Sequence, residues 1–177
     1  MNKEEGLAFL RNHIPMPDLD DRDETCRIFY EWTDVCDYFV EHPCFEALPL
    51  LMAGLAGGSD FEGFERIGAL ALRLPLEEVE PYFIESIKSP SSHVRYWSVI
   101  FASDLQTSNI DLFEAILDRA DDPDEDDEVS VMSQLAICTF CEVGLFDWRP
   151  YKERILNIIE RSNDKLVINS LTSLIND

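Results

Sequence analysis

Apolar residues recur at helical spacing along nearly the whole chain. The clearest segment covers residues 24–42. Its apolar positions fall on one helical face and are Ile28, Trp32, Val35, Cys36 and Phe39. This spacing predicts an amphipathic α-helix, whereas convincing runs of alternating apolar and polar residues, which predict strands, are absent. The pattern therefore predicts an all-α protein.

Glycine and proline fall between the periodic segments and divide the chain into about ten helices. Before Pro43, helices are predicted over 3–11 and 24–42, with a loop around Pro15 and Pro17. After Pro43 we expect four helix pairs: 44–56 with 61–74, 77–88 with 91–105, 109–119 with 127–143, and 147–161 with 163–175. We expect one domain over residues 1–177, with N-terminal helices in 1–43 and the pairs in 44–177.

The second helices of these pairs share a weak internal repeat. The aligned segments are 92–98 (SHVRYWS), 127–133 (DEVSVMS) and 164–170 (DKLVINS). Their intervals approach the roughly 34 to 47 residues of helical-pair repeats. In the best copy, a turn at Pro90 precedes a serine cap and the pair Val94-Arg95. The second copy keeps the valine and loses the arginine, and the third has Leu166-Val167 instead.

With this turn and second helix, residues 44–177 resemble the HEAT-repeat family. The resemblance implies a short right-handed α-solenoid of antiparallel helix pairs, in which Arg95 supports its pair through hydrogen bonds. The helices predicted over 91–105 and 127–143 are apolar on nearly all sides, which is typical of helices inside a stack. The last helix is apolar on one side only, as expected of a terminal cap.

The charge limits the partners. The chain has 36 Asp and Glu against 14 Lys and Arg, for a net charge of -22. Such a chain repels phosphate backbones and anionic membranes, so we expect neither nucleic acid nor membrane as a partner. It attracts basic proteins. Solubility alone accounts for the charge equally well.

Other features indicate the cytoplasm. No apolar run approaches the roughly 20 residues of a membrane span. The N-terminus carries Glu4 and Glu5 and lacks the apolar core of a secretion signal. The 5 cysteines are an odd number, and free thiols fit a reducing compartment.

Candidates for catalysis are few, and we expect no enzyme, cofactor or metal. The three histidines, His13, His42 and His93, lie near predicted helix ends, where capping or exposure is favoured over general-base work. Cys138 and Cys141 form a Cys-x-x-Cys without a second ligand pair, inside an apolar helix, so buried structural thiols are favoured over zinc or redox chemistry.

Two acidic clusters are the candidate partner-binding sites. The first lies on the helix at 24–42 and contains Glu31, Asp34, Asp37 and Glu41. The second occupies residues 121–128 and contains Asp121, Asp122, Asp124, Glu125, Asp126, Asp127 and Glu128. This second cluster lacks the glycine and alternating ligands of a calcium loop. A solvated loop that favours the next helix N-terminus remains as open as a binding determinant.

Small acidic proteins with HEAT-like helical pairs are similar to bacterial immunity proteins of contact-dependent and polymorphic toxin systems. The leading hypothesis is therefore a non-catalytic inhibitor that covers a basic toxin, with a nuclease as the expected class. Trp148 and Tyr151 are candidate aromatic anchors, although both also fit core positions. The alternative is a HEAT-like scaffold or adaptor that binds another cytosolic protein through an apolar groove.

Overall fold

A computed structural model describes residues 1–14, 22–55 and 64–176. Across these ranges the chain forms ten α-helices and no strand, which confirms the predicted all-α class. The helices are α1 Lys3–His13, α2 Arg22–Glu41, α3 Ala47–Gly54, α4 Phe64–Ala71, α5 Leu76–Ser86, α6 Ser92–Asp104, α7 Ile110–Asp121, α8 Asp127–Glu142, α9 Lys152–Arg161 and α10 Lys165–Asn176. A short 3₁₀ helix, Arg149–Tyr151, precedes α9.

Side-chain caps begin several helices close to where the sequence predicts. Ser91 caps α6, with its hydroxyl accepting from the backbone N–H of Val94. Asn109 caps α7 in the same way, and Asp126 caps α8. The largest difference is α9, predicted to start at 147. Because Pro150 has no N–H to donate into an α-helical turn, the chain there forms the 3₁₀ helix and α9 starts at Lys152.

The C-terminus of α8 ends in a glycine turn. Gly144 has a φ of 76°, in the left-handed region that favours glycine. The N–H of Leu145 donates to the carbonyl of Phe140 at 2.9 Å, and the N–H of Gly144 donates to that of Cys141 at 3.0 Å. These two bonds form a Schellman motif and satisfy carbonyls that the end of a helix leaves free.

The described chain divides into two compact units, Met1–Val79 and Glu80–Asp177. In the first unit α1 packs against α2 and α3, and α4 packs against the same two helices. Its fully buried side chains include Leu10, Phe39, Leu48, Leu51, Met52, Ile67 and Leu70. Gly6 allows a close helix approach, since a Cβ there would lie 3.0 Å from the ring of Phe39.

In the second unit α8 lies centrally. It packs against α6, α7 and α10, and α9 packs against α7 and α10. Three neighbours explain why apolar residues surround much of α8. An aromatic cluster joins α7, the end of α8 and the 3₁₀ helix, and consists of Phe113, Phe140, Phe146 and Tyr151. On α10, Val167, Leu171 and Leu174 are buried.

The unit boundary lies inside α5, between Val79 and Glu80. Within the second unit, the carboxylate of Glu80 accepts from the hydroxyl of Thr107 and from the amide of Asn109, so this carboxylate holds the cap of α7. Among the helices of the described ranges, none combines the length and apolar character that crossing a membrane requires.

Candidate functional site

The first acidic cluster lies on α2 in the first unit. This α2 acidic face consists of Glu31, Asp34, Asp37 and Glu41, and all four side chains are exposed. Glu31 pairs with Arg27 at 3.1 Å, and Asp37 pairs with Arg66 of α4. Asp34 and Glu41 make no ion pair with any residue that the structure describes. The face therefore keeps about half of its charge uncompensated.

The second cluster forms the α7–α8 acidic loop, residues 121–128, in the second unit. Within it, Glu125 is an internal carboxylate. Its side chain is 1% exposed and lies between the guanidinium groups of Arg95 and Arg119. Arg95 donates to both of its oxygens, and Arg119 donates to Oε2 at 3.2 Å. Glu125 thus holds the loop in place and has no free oxygen face for a partner.

Arg95 also binds the turn that precedes its own helix. Its Nη1 donates to the carbonyl of Ser89 at 2.7 Å and to that of Pro90 at 3.2 Å. One guanidinium thereby joins the α5–α6 turn to the α7–α8 acidic loop. The structural role predicted for Arg95 is confirmed.

Asp121 and Asp122 are compensated by arginines as well. Asp121 accepts from Arg154 at 2.9 Å and from Arg161 at 2.8 Å, which links the end of α7 to α9. Asp122 pairs with Arg119 at 3.5 Å. The roles of Arg154 and Arg161 could not be predicted from a local sequence pattern, because both residues lie more than thirty positions from Asp121.

The remaining acids of the loop face solvent. This exposed acidic set consists of Asp124, Asp126, Asp127 and Glu128. Asp126 also caps α8, with Oδ1 accepting from the N–H of Glu128 at 3.1 Å. Carboxylates in this first turn favour the positive end of the helix dipole. None of the four has an ion pair within residues 1–14, 22–55 and 64–176.

A cavity of about 430 Å³ opens beside the exposed acidic set. It lies between the α7–α8 acidic loop and the α9–α10 loop, and Asp127, Gln134, Arg161 and Asp164 are part of its lining. Gln134 and Asp164 were not among the site residues predicted from the sequence. For Gln134 a signal existed, since a lone amide in a helix that is otherwise largely apolar marks a buried polar group.

The cysteine pair of α8 is buried, as predicted. Cys138 and Cys141 are both free thiols in the interior of the second unit. Burial raises the pKa of Cys138 to about 12 and that of Cys141 to about 11. A thiol must lose its proton to act as a nucleophile or metal ligand, so both are poor candidates for either. The described residues bring together no group of three His, Cys, Asp or Glu suited to a metal ion.

Two histidines act locally at helix ends. His13 stacks on Phe9 at 4.2 Å between ring centroids and lies 2.9 Å from the Phe9 carbonyl oxygen. His42 stacks on Tyr38 at 4.5 Å and approaches that residue's carbonyl at 3.1 Å. These contacts and the exposure of His93 agree with the prediction of capping or exposure for the three histidines.

The two candidate anchors, Trp148 and Tyr151, are half-buried. Tyr151 packs on Phe113 and donates its hydroxyl to Glu114 at 3.2 Å. The guanidinium of Arg149 and the ammonium of Lys152 lie 5.5 Å and 5.9 Å from the ring centroid of Trp148. Both aromatic rings therefore already have intramolecular neighbours.

The fold and the candidate site together define an all-helical protein with an exposed acidic set. Comparison with protein-family models, curated proteins and solved structures gives no significant match.

Proposed function

We propose that this chain is a non-catalytic protein-binding module that neutralises a basic partner. In its specific form, the proposal is an acidic bacterial immunity or inhibitor protein that acts in the cytoplasm against a toxin, with a nuclease as the expected class. One observation carries it: the exposed acidic set places four carboxylates within residues 124–128, and none is compensated by an arginine or lysine in the described parts of the chain.

The acids of the α7–α8 acidic loop divide into compensated and exposed groups, and this division supports the assignment. Asp121, Asp122 and Glu125 are held by arginines and stabilise the fold. Exposed carboxylates concentrated on a loop that arginines hold in place produce a strong local negative potential, which speeds encounter with a basic surface at low salt. A nuclease that binds phosphates offers such a surface.

The proposed architecture is a short, right-handed, HEAT-like α-solenoid of antiparallel helix pairs. The helix contacts of the second unit support it. The pairs α7–α8 and α9–α10 pack within themselves, the second helices α6, α8 and α10 pack in succession, and the first helix α7 packs on α9. That arrangement, with neighbours contacting neighbours, is typical of stacked helical repeats.

The non-catalytic character is supported by the state of the reactive side chains. The buried thiols have raised pKa values, and two of the histidines are engaged with carbonyls of their own helices. A catalytic constellation needs such groups to converge on one pocket. In the described ranges, the cavity near Gln134 contains no histidine or cysteine. The groove at Cys44 contains both Cys44 and His42, but burial raises the pKa of that thiol and the His42 ring contacts the Tyr38 carbonyl.

The test is affinity capture from the native host by three tagged forms of the chain, at low and at moderate salt. The first form is wild type. The second removes three charges of the exposed acidic set with Asp124→Asn, Asp127→Asn and Glu128→Gln. The third removes three exposed charges elsewhere in the same unit with Asp111→Asn, Glu142→Gln and Glu153→Gln, which matches the change in net charge.

We expect wild type and the matched control to retain one basic protein whose activity falls on binding, and the loop variant to lose it. If the loop variant and the matched control both lost the basic protein, net charge alone would explain binding, and this result would contradict a defined site. Recovery of a neutral or acidic partner whose binding does not change with salt would contradict the inhibitor proposal and favour an adaptor. Genomic context provides an independent check, because an adjacent toxin gene is expected for an immunity protein.

A further inference from the structure

The cavity beside the exposed acidic set combines charged and buried polar groups. Its 430 Å³ lie between two loops of the second unit. Asp127 and Gln134 come from α8, while Arg161 and Asp164 come from the end of α9 and the loop before α10. Apolar side chains including Val131 complete the wall. A side chain with an aliphatic stem and a charged end fits such a lining.

Gln134 is the unusual member of the lining. The residue is 6% exposed, and its amide nitrogen donates to Ser130 Oγ at 2.9 Å and to the carbonyl of Ala120 at 3.5 Å. Because the Ala120 carbonyl can only accept, the nitrogen of the amide is assigned to the side of Ser130 and Ala120. Its oxygen, Oε1, then has no donor among the residues that the structure describes.

A buried carbonyl oxygen without a donor is rare in folded proteins and costly. Gln134 Oε1 is therefore an acceptor whose donor, an N–H or O–H group, does not come from the described chain. Less than 1 Å² of Oε1 is accessible, so a donor reaches it only when a lining side chain turns aside. The side chain of Arg161 is 42% exposed, so it has room to move.

The other charged groups leave one carboxylate free for a cation. Arg161 already pairs with Asp121 at 2.8 Å. Asp164 accepts from the backbone N–H groups of Leu166 and Val167, which start α10. Asp127 has no such partner within the described chain. A ligand in this cavity therefore meets Asp127, a carboxylate with no hydrogen bond or ion pair to the described chain, and Gln134 Oε1, a carbonyl oxygen without a donor there.

We propose that the cavity is a pocket for one arginine side chain of the basic partner, whose guanidinium donates to Gln134 Oε1 and to the carboxylate of Asp127. This inference rests on the proposed function, because it names the recognition chemistry of the same partner. Arginine suits the pocket better than lysine for two reasons. Its planar fork donates to two separate acceptors at once, and it is less strongly hydrated than an ammonium group.

The experiment is an NMR titration of the full-length, ¹⁵N-labelled chain with N-acetyl-arginine N′-methylamide as the probe. The corresponding lysine derivative is titrated in parallel at the same ionic strength. The side-chain amide signals of Gln134, assigned by their loss in Gln134→Leu, report on the pocket directly. Gln134→Met keeps a similar length and serves if the leucine variant does not fold. Asp127→Asn tests the carboxylate, and Asp111→Asn is its control, since Asp111 also lies exposed in the first turn of a helix.

We expect saturable shifts of the Gln134 amide with the arginine probe and clearly weaker binding of the lysine probe. Asp127→Asn and the Gln134 variants should each weaken binding about tenfold, as loss of a charge-assisted hydrogen bond implies, and Asp111→Asn should not. Equal binding of both probes, equal effects of the two aspartate variants, or shifts that do not saturate would overturn the pocket. Because the probe is a single amino-acid derivative, this outcome is independent of whether a toxin is captured.

Discussion

Glu125 is expected to be the most sensitive acid of the α7–α8 acidic loop, although the sequence offers no reason to separate it from its neighbours. The perturbation is Glu125→Gln, which keeps the size of the side chain and removes its charge. The side chain of Glu125 is 1% exposed and that of Arg95 is 15% exposed, so the substitution leaves a buried guanidinium without its counterion. Breaking a buried pair of this kind costs about 3 to 5 kcal/mol.

Glutamine still accepts one hydrogen bond, so we take the low end, about 3 kcal/mol. For a chain of this size, each kcal/mol lowers the melting temperature by roughly 2 to 4 °C, which gives a drop of about 6 to 12 °C. The assay is differential scanning calorimetry at neutral pH. The control is Asp124→Asn, which removes the same charge one residue away from an exposed position and should change stability by about 0.5 kcal/mol or less.

Equal melting temperatures for the two variants would refute the distinction between internal and exposed acids on which the proposed site depends. A large loss in Asp124→Asn would refute it as well, because that result would assign a structural role to the exposed acidic set. We therefore predict that wild type and Asp124→Asn have similar melting temperatures and that Glu125→Gln melts well below both.

Three further predictions concern local contacts. Gly144→Ala should lower the free energy of unfolding, measured in urea, by about 1 to 2 kcal/mol, because the left-handed backbone strains any Cβ. Gly144→Asn should lower it by less. Equal stability of wild type and both variants would contradict the Schellman turn. Hydrogen bonds from the Cys44 thiol, the larger cause, and from the Lys3 ammonium lower the pKa of Glu46 to about 2. An NMR titration should therefore show this pKa rising in Cys44→Ala and, by less, in Lys3→Met. A wild-type pKa near 4.5 would refute the contact. Since the folded-state pKa is lowered, this contact stabilises the protein above pH 4.5 and its contribution is lost as the pH falls towards 2. Brief alkylation at mild pH should modify the exposed Cys26 before the other thiols, which are buried; peptide mapping that finds Cys138 labelled as fast would show that α8 opens readily.

Periodicity and punctuation were enough to predict the helices, because each helix buries a face that its own sequence encodes. Ser91 and Asn109 are capping residues whose chemistry is local, so the starts of α6 and α7 followed from the sequence within one or two residues. The start of α9 did not, since the pattern alone gave too little weight to Pro150.

The candidate site was harder to predict from the sequence than the helices were, because charge compensation depends on residues that are distant along the chain. Glu125 and Asp124 are adjacent and chemically similar, yet only Glu125 pairs with Arg95, which lies thirty positions away in the sequence. Likewise, Gln134 stands out only when its burial and its missing donor are known. Local patterns report the faces of helices, whereas the pairing of side chains across loops is a property of the fold.

The most direct measurement of the central claim is the affinity for the captured basic partner as a function of NaCl concentration. Three chains are compared: wild type, the loop variant with Asp124→Asn, Asp127→Asn and Glu128→Gln, and the matched control altered at other exposed acids of the same unit. We predict that wild-type affinity falls steeply with salt, that the loop variant binds more weakly with a shallower slope, and that the control follows wild type. An affinity that ignores salt, or a control that loses as much as the loop variant, would contradict recognition of a basic protein by the exposed acidic set.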